Sequence, residues 1–131
     1  MELSKAEKIL REVGNDKAFY VHMGPTLKSI SDLANELETM PDESFRHHTT
    51  GKNDFSNWVK GVFKDLELAS KIEKAPKAKM ASIIKRRIKE LETTKQIDKH
   101  TSKEILVKGV VDFAIGLVVG VVLGVLLRSL F

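Results

Sequence analysis

Three histidines and one aspartate are the residues of this sequence best suited to chemistry: His22, His47, His48 and Asp54. An imidazole beside a carboxylate can transfer protons as a general acid–base pair, and both side chains can bind zinc. The spacing favours neither use, because His47 and His48 are adjacent and would point about 100° apart on a helix. The sequence contains neither an H-x-x-x-H nor an H-E-x-x-H motif.

A structural role for these residues fits the sequence better. We expect one histidine to tie the loop before Asn53 to the next helix by hydrogen bonds, with no catalytic residue, cofactor or metal. The alternative is a small metal-dependent or acid–base enzyme that uses His22, His48 and Asp54. Such an enzyme would require the three side chains to meet in one pocket. The chain has no cysteine, so disulfides and cysteine-ligated zinc are excluded.

Helical spacing of apolar residues predicts a mainly α fold, a small helical domain with one short extended segment. Ser29, Asn53 and Asp65 each precede such a segment and are suited to cap a helix. Pro76 stands where the last helix of the domain would begin. Only residues 17–23 alternate like a strand, and no second strand is expected. The apolar faces predicted for the helices are Leu3, Ala6, Ile9, Leu10 and Val13; Ile30, Leu33, Leu37 and Met40; Phe55, Trp58, Val59, Val62 and Phe63; Leu68, Ala69 and Ile72; and Met80, Ile83, Ile84, Ile88 and Leu91.

One cation falls among the apolar residues of the last predicted helix of the domain. Arg87 lies within the arc that Ile84 and Leu91 define, whereas its basic neighbours point away from that arc. A guanidinium group in this position either extends to the surface along its aliphatic stem or pairs with a carboxylate. We therefore expect Arg87 to meet an acidic side chain from the body of the domain or to reach solvent.

The strongest pattern in the sequence is an apolar run near its end. Residues 109–127 read GVVDFAIGLVVGVVLGVLL, and Asp112 is their one charge. A helix of this run would be about 28 Å long, close to the thickness of the hydrocarbon core of a bilayer. We therefore expect a single C-terminal transmembrane helix within residues 105–131 and a tail-anchored protein. The alternative is a buried core helix, which the remaining residues would cover poorly on every side.

A basic segment precedes the apolar run. Residues 71–104 carry eleven basic and five acidic side chains, whereas Arg128 is the one basic residue after the run. Positive flanks stay in the cytoplasm, which predicts a single-pass protein of the cell membrane with a cytoplasmic N-terminal domain. The predicted boundaries are 1–92 for that helical domain, 93–104 for a polar basic neck and 105–131 for the transmembrane helix. The basic residues expected at the membrane surface are Lys85, Arg86, Lys89, Lys95, Lys99, Lys103 and Lys108.

Glycines recur at every fourth position within the apolar run. Gly116, Gly120 and Gly124 form a G-x-x-x-G-x-x-x-G series of the kind called a glycine zipper, and Asp112 extends the series by one step. Small residues at this spacing let two helix backbones approach closely in lipid. The series predicts a helix–helix interface in a homo-oligomer or with a partner membrane protein. The alternative is that these glycines reflect only the high glycine content of membrane helices.

One part of the sequence resembles a family of short archaeal and bacterial domains of unknown function. The resemblance covers about residues 17–92 and is carried by an H-x(4)-N-D-F-x-x-W signature. The family implies no reaction, substrate or cofactor, and it supports one folded module to which this chain adds an anchor. The signature residues in this sequence are His48, Asn53, Asp54, Phe55 and Trp58.

These patterns together favour a membrane-anchored interaction or scaffolding module over an enzyme. The expected partners are the lipid bilayer and either a second copy of the chain or another membrane protein. No small-molecule substrate is expected. Nucleic acid is not expected either, because the basic stretch 74–103 contains no Phe, Tyr or Trp on which bases could stack.

Overall fold

The computed structural model of the chain describes residues 3–100, and this part is mainly helical with one small two-stranded sheet. Contacts divide the chain into two compact units, residues 1–95 and residues 96–131. The predicted transmembrane segment lies outside the described residues. In chain order the elements are α1 (Lys5–Leu10), β1 (Phe19–Tyr20), β2 (Thr26–Leu27), α2 (Ile30–Thr39), α3 (Asp42–Thr49), α4 (Asp54–Trp58), a π-helical turn (Val59–Phe63), α5 (Leu66–Ile72) and α6 (77–100).

Side-chain caps define where four of these helices begin. Ser29, Asn53 and Asp65 each accept a hydrogen bond from the backbone N–H three residues further on, at 3.0–3.2 Å. This confirms the three predicted caps. Ser4 caps α1 in the same way, and the carboxylate of Glu7 accepts a hydrogen bond from the Ser4 backbone N–H in return. Such caps satisfy backbone donors that have no partner within the helix.

The core is formed by the apolar faces of the helices and of the strand pair. Helices α2, α4 and α5 bury the residues predicted for them, except that Val62, in the π-helical turn that follows α4, is only partly buried. Leu3 departs from the prediction, because its side chain is 49% exposed. The largest fully buried apolar side chains are Phe55, Ile9, Ile30, Leu33, Leu37, Met40, Leu68, Ile72, Met80, Ile84 and Val59.

The sheet corrects the expectation of a single extended segment. Strand β2 pairs with β1 in antiparallel register, with Phe19 opposite Leu27 and Tyr20 opposite Thr26. Two residues are too few to show the alternation that marks a strand in sequence. The carbonyl of Pro25, the residue before β2, accepts the Val21 N–H at 3.1 Å and so closes the turn between the strands.

The helix that begins at Asp54 finishes in a π-helical turn. This turn spans Val59–Phe63 and ends at Lys64, which adopts a left-handed backbone conformation (φ 58°, ψ 25°). The extra residue in this turn shifts the side chains that follow it relative to the α-helical face. Phe63 nevertheless remains buried, so the sequence spacing alone did not distinguish this turn from a continuous α-helix.

Candidate functional site: the His48 cluster and a basic groove

His48 joins three segments of the domain through both of its ring nitrogens. It lies in the last turn of α3 and is 6% exposed. Its Nδ1 is 3.0 Å from Oδ2 of Asp54 in α4, and its Nε2 accepts a hydrogen bond of 2.9 Å from the His22 backbone N–H. Because Nε2 accepts, the proton of the neutral ring lies on Nδ1 and is donated to the carboxylate. Both positions at which His48 could exchange a proton are thus engaged within the fold.

Aromatic rings enclose this histidine on its buried side. The ring centroids of Phe19 and Phe55 lie 4.8 and 5.2 Å from that of His48. Trp58 contacts Phe19 at 5.5 Å, and its indole N–H donates to the Lys17 carbonyl at 2.8 Å. We call His48, Asp54 and these three rings the His48 cluster. The cluster links the strand pair to α3 and α4, and its aromatic pairs prefer such edge-to-face and tilted arrangements.

The structure brings together two of the three side chains predicted for an acid–base or metal site. His48 and Asp54 are paired, but His22 reaches His48 only through its main chain. The His22 ring instead stacks on His47, with centroids 3.9 Å apart and an interplanar angle of 11°. Within residues 3–100, no group of three or more His, Asp or Glu side chains is arranged to hold a metal ion.

Asn53 makes more contacts than its predicted cap. While its Oδ1 accepts from the Ser56 N–H, its Nδ2 donates to the carbonyls of Ile72 and Glu73 at 3.1 and 3.0 Å. It therefore satisfies one orphan donor at the start of α4 and two orphan acceptors at the end of α5. The five residues of the H-x(4)-N-D-F-x-x-W signature thus all make contacts between segments. Asn53 joins two helices, and the other four residues belong to the His48 cluster.

Arg87 pairs with Asp65, as expected for a cation inside an apolar arc. Its Nε and Nη2 donate to the two carboxylate oxygens at 2.8 and 3.2 Å, with Asp65 2% and Arg87 15% exposed. These hydrogen bonds raise the pKa of Arg87 above its ordinary value. Bidentate geometry and a low local dielectric both strengthen such a pair. The sequence left two outcomes open for Arg87, a carboxylate partner or a side chain that reaches solvent, and it did not indicate Asp65 as the partner.

The basic residues predicted at the membrane surface differ in their surroundings. Lys85 forms an ion pair with Glu38 of α2. Arg86, Lys89 and Lys99 are exposed, and Lys95 is half-buried. Lys103 and Lys108 lie outside the described residues, as do the predicted interface residues Asp112, Gly116, Gly120 and Gly124.

None of the helices within residues 3–100 combines the length and the apolar character needed to cross a bilayer.

An open groove that no sequence pattern predicted lies between α1 and the π-helical turn. The groove has a volume of about 260 Å³. Leu3, Ile9, Val62 and Phe63 supply its apolar surface, and four cations surround it. The i, i+3, i+6 spacing of the three cations in α1 and at its C-cap was the available signal, but the fourth cation comes from a segment more than fifty residues away. The cations are Lys5, Lys8, Arg11 and Lys64.

Comparison of the chain with family models, with curated proteins and with solved structures gave no match.

Proposed function

We propose that this chain is a membrane-anchored interaction module. Its helical domain acts at the cytoplasmic face of a cell membrane, and the apolar run 109–127 anchors it there. The observation that carries the proposal is the run itself, nineteen residues with Asp112 as the one charge. Such a length matches the hydrocarbon core. A run of this kind favours a lipid surrounding over water, because each buried apolar side chain gains about 1.5–3 kcal/mol.

The rigid construction of the domain supports a role in presenting a fixed surface. His48, Asn53 and the Asp65–Arg87 pair each connect elements that are distant in sequence. Their polar groups are engaged in hydrogen bonds within the domain. Pre-organised surfaces bind partners with less loss of conformational entropy than mobile ones. His48, which first suggested chemistry, thus supports the proposal of a binding module.

The charge of α6 supports the cytoplasmic orientation. Arg86, Lys89 and Lys99 are exposed on this helix, which precedes the apolar run in sequence. Each basic residue near an anionic leaflet contributes about 1 kcal/mol of attraction. Together with the positive-inside rule, this favours a domain on the cytoplasmic side.

The glycine series adds a second part to the proposal. In a helix formed by the run, Gly116, Gly120 and Gly124 would line one ridge, and we propose that this ridge joins copies of the chain or a partner membrane protein. Close backbone approach at small residues replaces the hydrophobic driving force that lipid does not provide. The oligomer would bring several helical domains together at the membrane surface and so increase their avidity for a multivalent partner.

Extraction of membranes at alkaline pH tests the anchoring. We expect the full-length chain to remain in the pellet with integral proteins. The double variant Val118→Arg with Val122→Arg should move to the supernatant, because each central arginine costs about 2.5–3.5 kcal/mol on insertion. The control adds two arginines at exposed sites of the domain, Ser70→Arg with Thr94→Arg, and should stay in the pellet. A wild-type chain that leaves the membrane would refute the proposal, as would a central double variant that stays as firmly as the control.

A further inference from the structure

Two histidine contacts hold the tip of the hairpin that β1 and β2 form, residues 22–24, against α3. The His22 backbone N–H donates to Nε2 of His48 at 2.9 Å, and the His22 ring stacks on that of His47 with centroids 3.9 Å apart. Both partners lie in the last turn of α3. The strands have two residues each, and a hairpin this short has little stability of its own. The position of the tip therefore depends on side chains that can bind protons.

The hydrogen bond from His22 occupies the one lone pair of Nε2 in His48. Because Nδ1 carries the ring proton and faces Asp54, Nε2 is the position that a second proton would take. An imidazolium has an N–H group at both positions and accepts no hydrogen bond. Proton binding at Nε2 and the contact with His22 are therefore mutually exclusive.

Asp54 allows the ring to take up this proton while it stays in place. Its Oδ2 lies 3.0 Å from Nδ1, so an imidazolium would form a charge-assisted hydrogen bond there. Phe19 and Phe55 pack against the ring and carry no titratable group. Protonation of His48 should accordingly change the structure on the Nε2 side, toward the hairpin, rather than on the side of α4.

The charged and titratable groups around these contacts come from several elements. The Asp54 carboxylate favours an imidazolium at His48, and the Lys52 ammonium, 3.5 Å from that carboxylate, reduces this effect. Protonation of both His22 and His47 would place two positive charges on stacked rings and weaken the stack. Acid thus acts against both contacts of the tip. The remaining charged groups nearby are Arg46 in the same turn of α3 and Glu36 of α2, which lies beside Gly24.

Met23, at the centre of the tip, shows what a release would change. Its backbone lies in the left-handed region (φ 55°), a conformation that persists where surrounding contacts hold it. Its side chain is 80% exposed, the highest fraction among the large apolar side chains of residues 3–100. Loss of the contacts with α3 would let this backbone relax and would move the exposed thioether.

We propose that proton binding at Nε2 of His48 releases the hairpin tip from α3, so that the tip is a pH-sensitive switch. Above the range in which histidines take up protons, the tip is held and Met23 has a fixed position; within that range, in mild acid, the tip is free. A partner that contacts the tip would then bind in a pH-dependent way. The inference depends on the fold of the domain alone and holds whether or not residues 109–127 span a membrane.

Nuclear magnetic resonance of the full-length chain in zwitterionic detergent tests the switch. The chain, labelled with nitrogen-15, is titrated from about pH 8 to about pH 5 while the ring nitrogens of His48 and the backbone amide of His22 are followed. We expect both signals to change with the same midpoint pH. The His22 amide should also exchange with water at least about tenfold faster relative to the Val13 amide. Val13 is the internal reference, because its N–H donates to the Lys28 carbonyl at 2.8 Å, outside the tip.

Two variants separate the switch from other effects of acid. In His48→Gln the side-chain amide has a donor and an acceptor but takes up no proton in this range. The His22 amide of that variant should therefore keep its chemical shift and its protection throughout the titration. The matched control His47→Phe retains Nε2 of His48 and a ring that can stack on His22, so it should show the same transition as wild type.

Several results would overturn the inference. It is wrong if the His48 ring takes up a proton while the His22 amide is unchanged, or if the ring stays neutral down to about pH 5. It is also wrong if the His22 amide responds in His48→Gln as it does in wild type. Simultaneous loss of protection at Val13 and His22 would show unfolding of the domain instead of release of the tip. If His48→Gln does not fold, the two wild-type midpoints decide, since the inference requires that they coincide.

Discussion

Replacement of His48 by phenylalanine would test whether its hydrogen bonds hold the domain together. The aromatic ring remains, so contacts with Phe19 and Phe55 are largely kept and little cavity forms. The bond to Asp54 involves a carboxylate and is worth about 1.5–3 kcal/mol, and the bond from the His22 N–H about 0.5–1.5 kcal/mol. We therefore expect His48→Phe to lower the free energy of unfolding by about 2–4 kcal/mol. That is a large share of the stability of a small domain.

Urea unfolding of the full-length chain in non-ionic detergent gives the measurement. Trp58 fluorescence reports on the unit of residues 1–95, to which it belongs. With a denaturant slope of about 2 kcal/mol per M in urea, the midpoint should fall by about 1–2 M. The matched control is His47→Phe, because His47 is exposed and its replacement can still stack on His22. That control should change stability by no more than about 0.5 kcal/mol.

A double-mutant cycle with Asp54→Ala isolates the charged hydrogen bond. Asp54 also lies 3.5 Å from the exposed Lys52 ammonium and in the first turn of α4, so its own replacement has several effects. The cycle removes those effects and should leave a coupling energy of about 1.5–3 kcal/mol between Asp54 and His48. A coupling energy below 0.5 kcal/mol, or a His48→Phe protein as stable as wild type, would refute the argument that His48 has a structural role.

Three further perturbations test other contacts. Asn53→Ala should lower the free energy of unfolding by about 2–3 kcal/mol, because it removes a cap and two hydrogen bonds to carbonyls at the end of α5. Asn53→Asp should keep the cap and lose about 1 kcal/mol less than Asn53→Ala. Equal losses for the two variants in urea unfolding would contradict this. The hydrogen bond from Lys77 lowers the pKa of Asp42, so its stabilisation is present above the ordinary pKa of that carboxyl and is lost as pH falls through the lowered value. The melting temperature of Lys77→Ala should accordingly depend less on pH than that of wild type below about pH 4. The same pH dependence in both proteins would contradict an effect of Lys77 on the pKa of Asp42. Gly120→Ile should abolish crosslinked oligomers in membranes, because a branched side chain separates backbones that must approach closely. The same set of crosslinked oligomers in wild type and Gly120→Ile would show that the glycines do not form the interface.

Features set by neighbouring residues in the chain could be predicted from the sequence. The caps at Ser29, Asn53 and Asp65 and the apolar faces behind them depend on spacings of three or four residues, and the structure confirms them. A histidine hydrogen bond to the next helix was also expected, although His48 lies in the last turn of α3 and not in the loop before Asn53. His48 and Asp54 are six residues apart, so their pairing is a local matter.

Features that depend on tertiary contacts could not be predicted. Strand β2 has two residues and exists because Leu27 can pair with Phe19. The bond that engages Nε2 of His48 comes from a residue 26 positions away, which no local pattern reveals. The basic groove likewise requires α1 to lie beside Lys64. In each case the deciding energy comes from packing between distant segments, and tertiary context overrides local preference.

Labelling of single cysteines tests the membrane topology most directly, since the chain has no cysteine of its own. Ser70→Cys places a thiol on the exposed surface of the domain, and Ser129→Cys places one beyond the apolar run. In intact bacterial cells, a membrane-impermeant maleimide should label Cys at position 129 without treatment and Cys at position 70 only after permeabilisation. A cytoplasmic domain anchored by residues 109–127 would be contradicted if both positions were labelled in intact cells. It would also be contradicted if neither position were labelled until the cells were permeabilised.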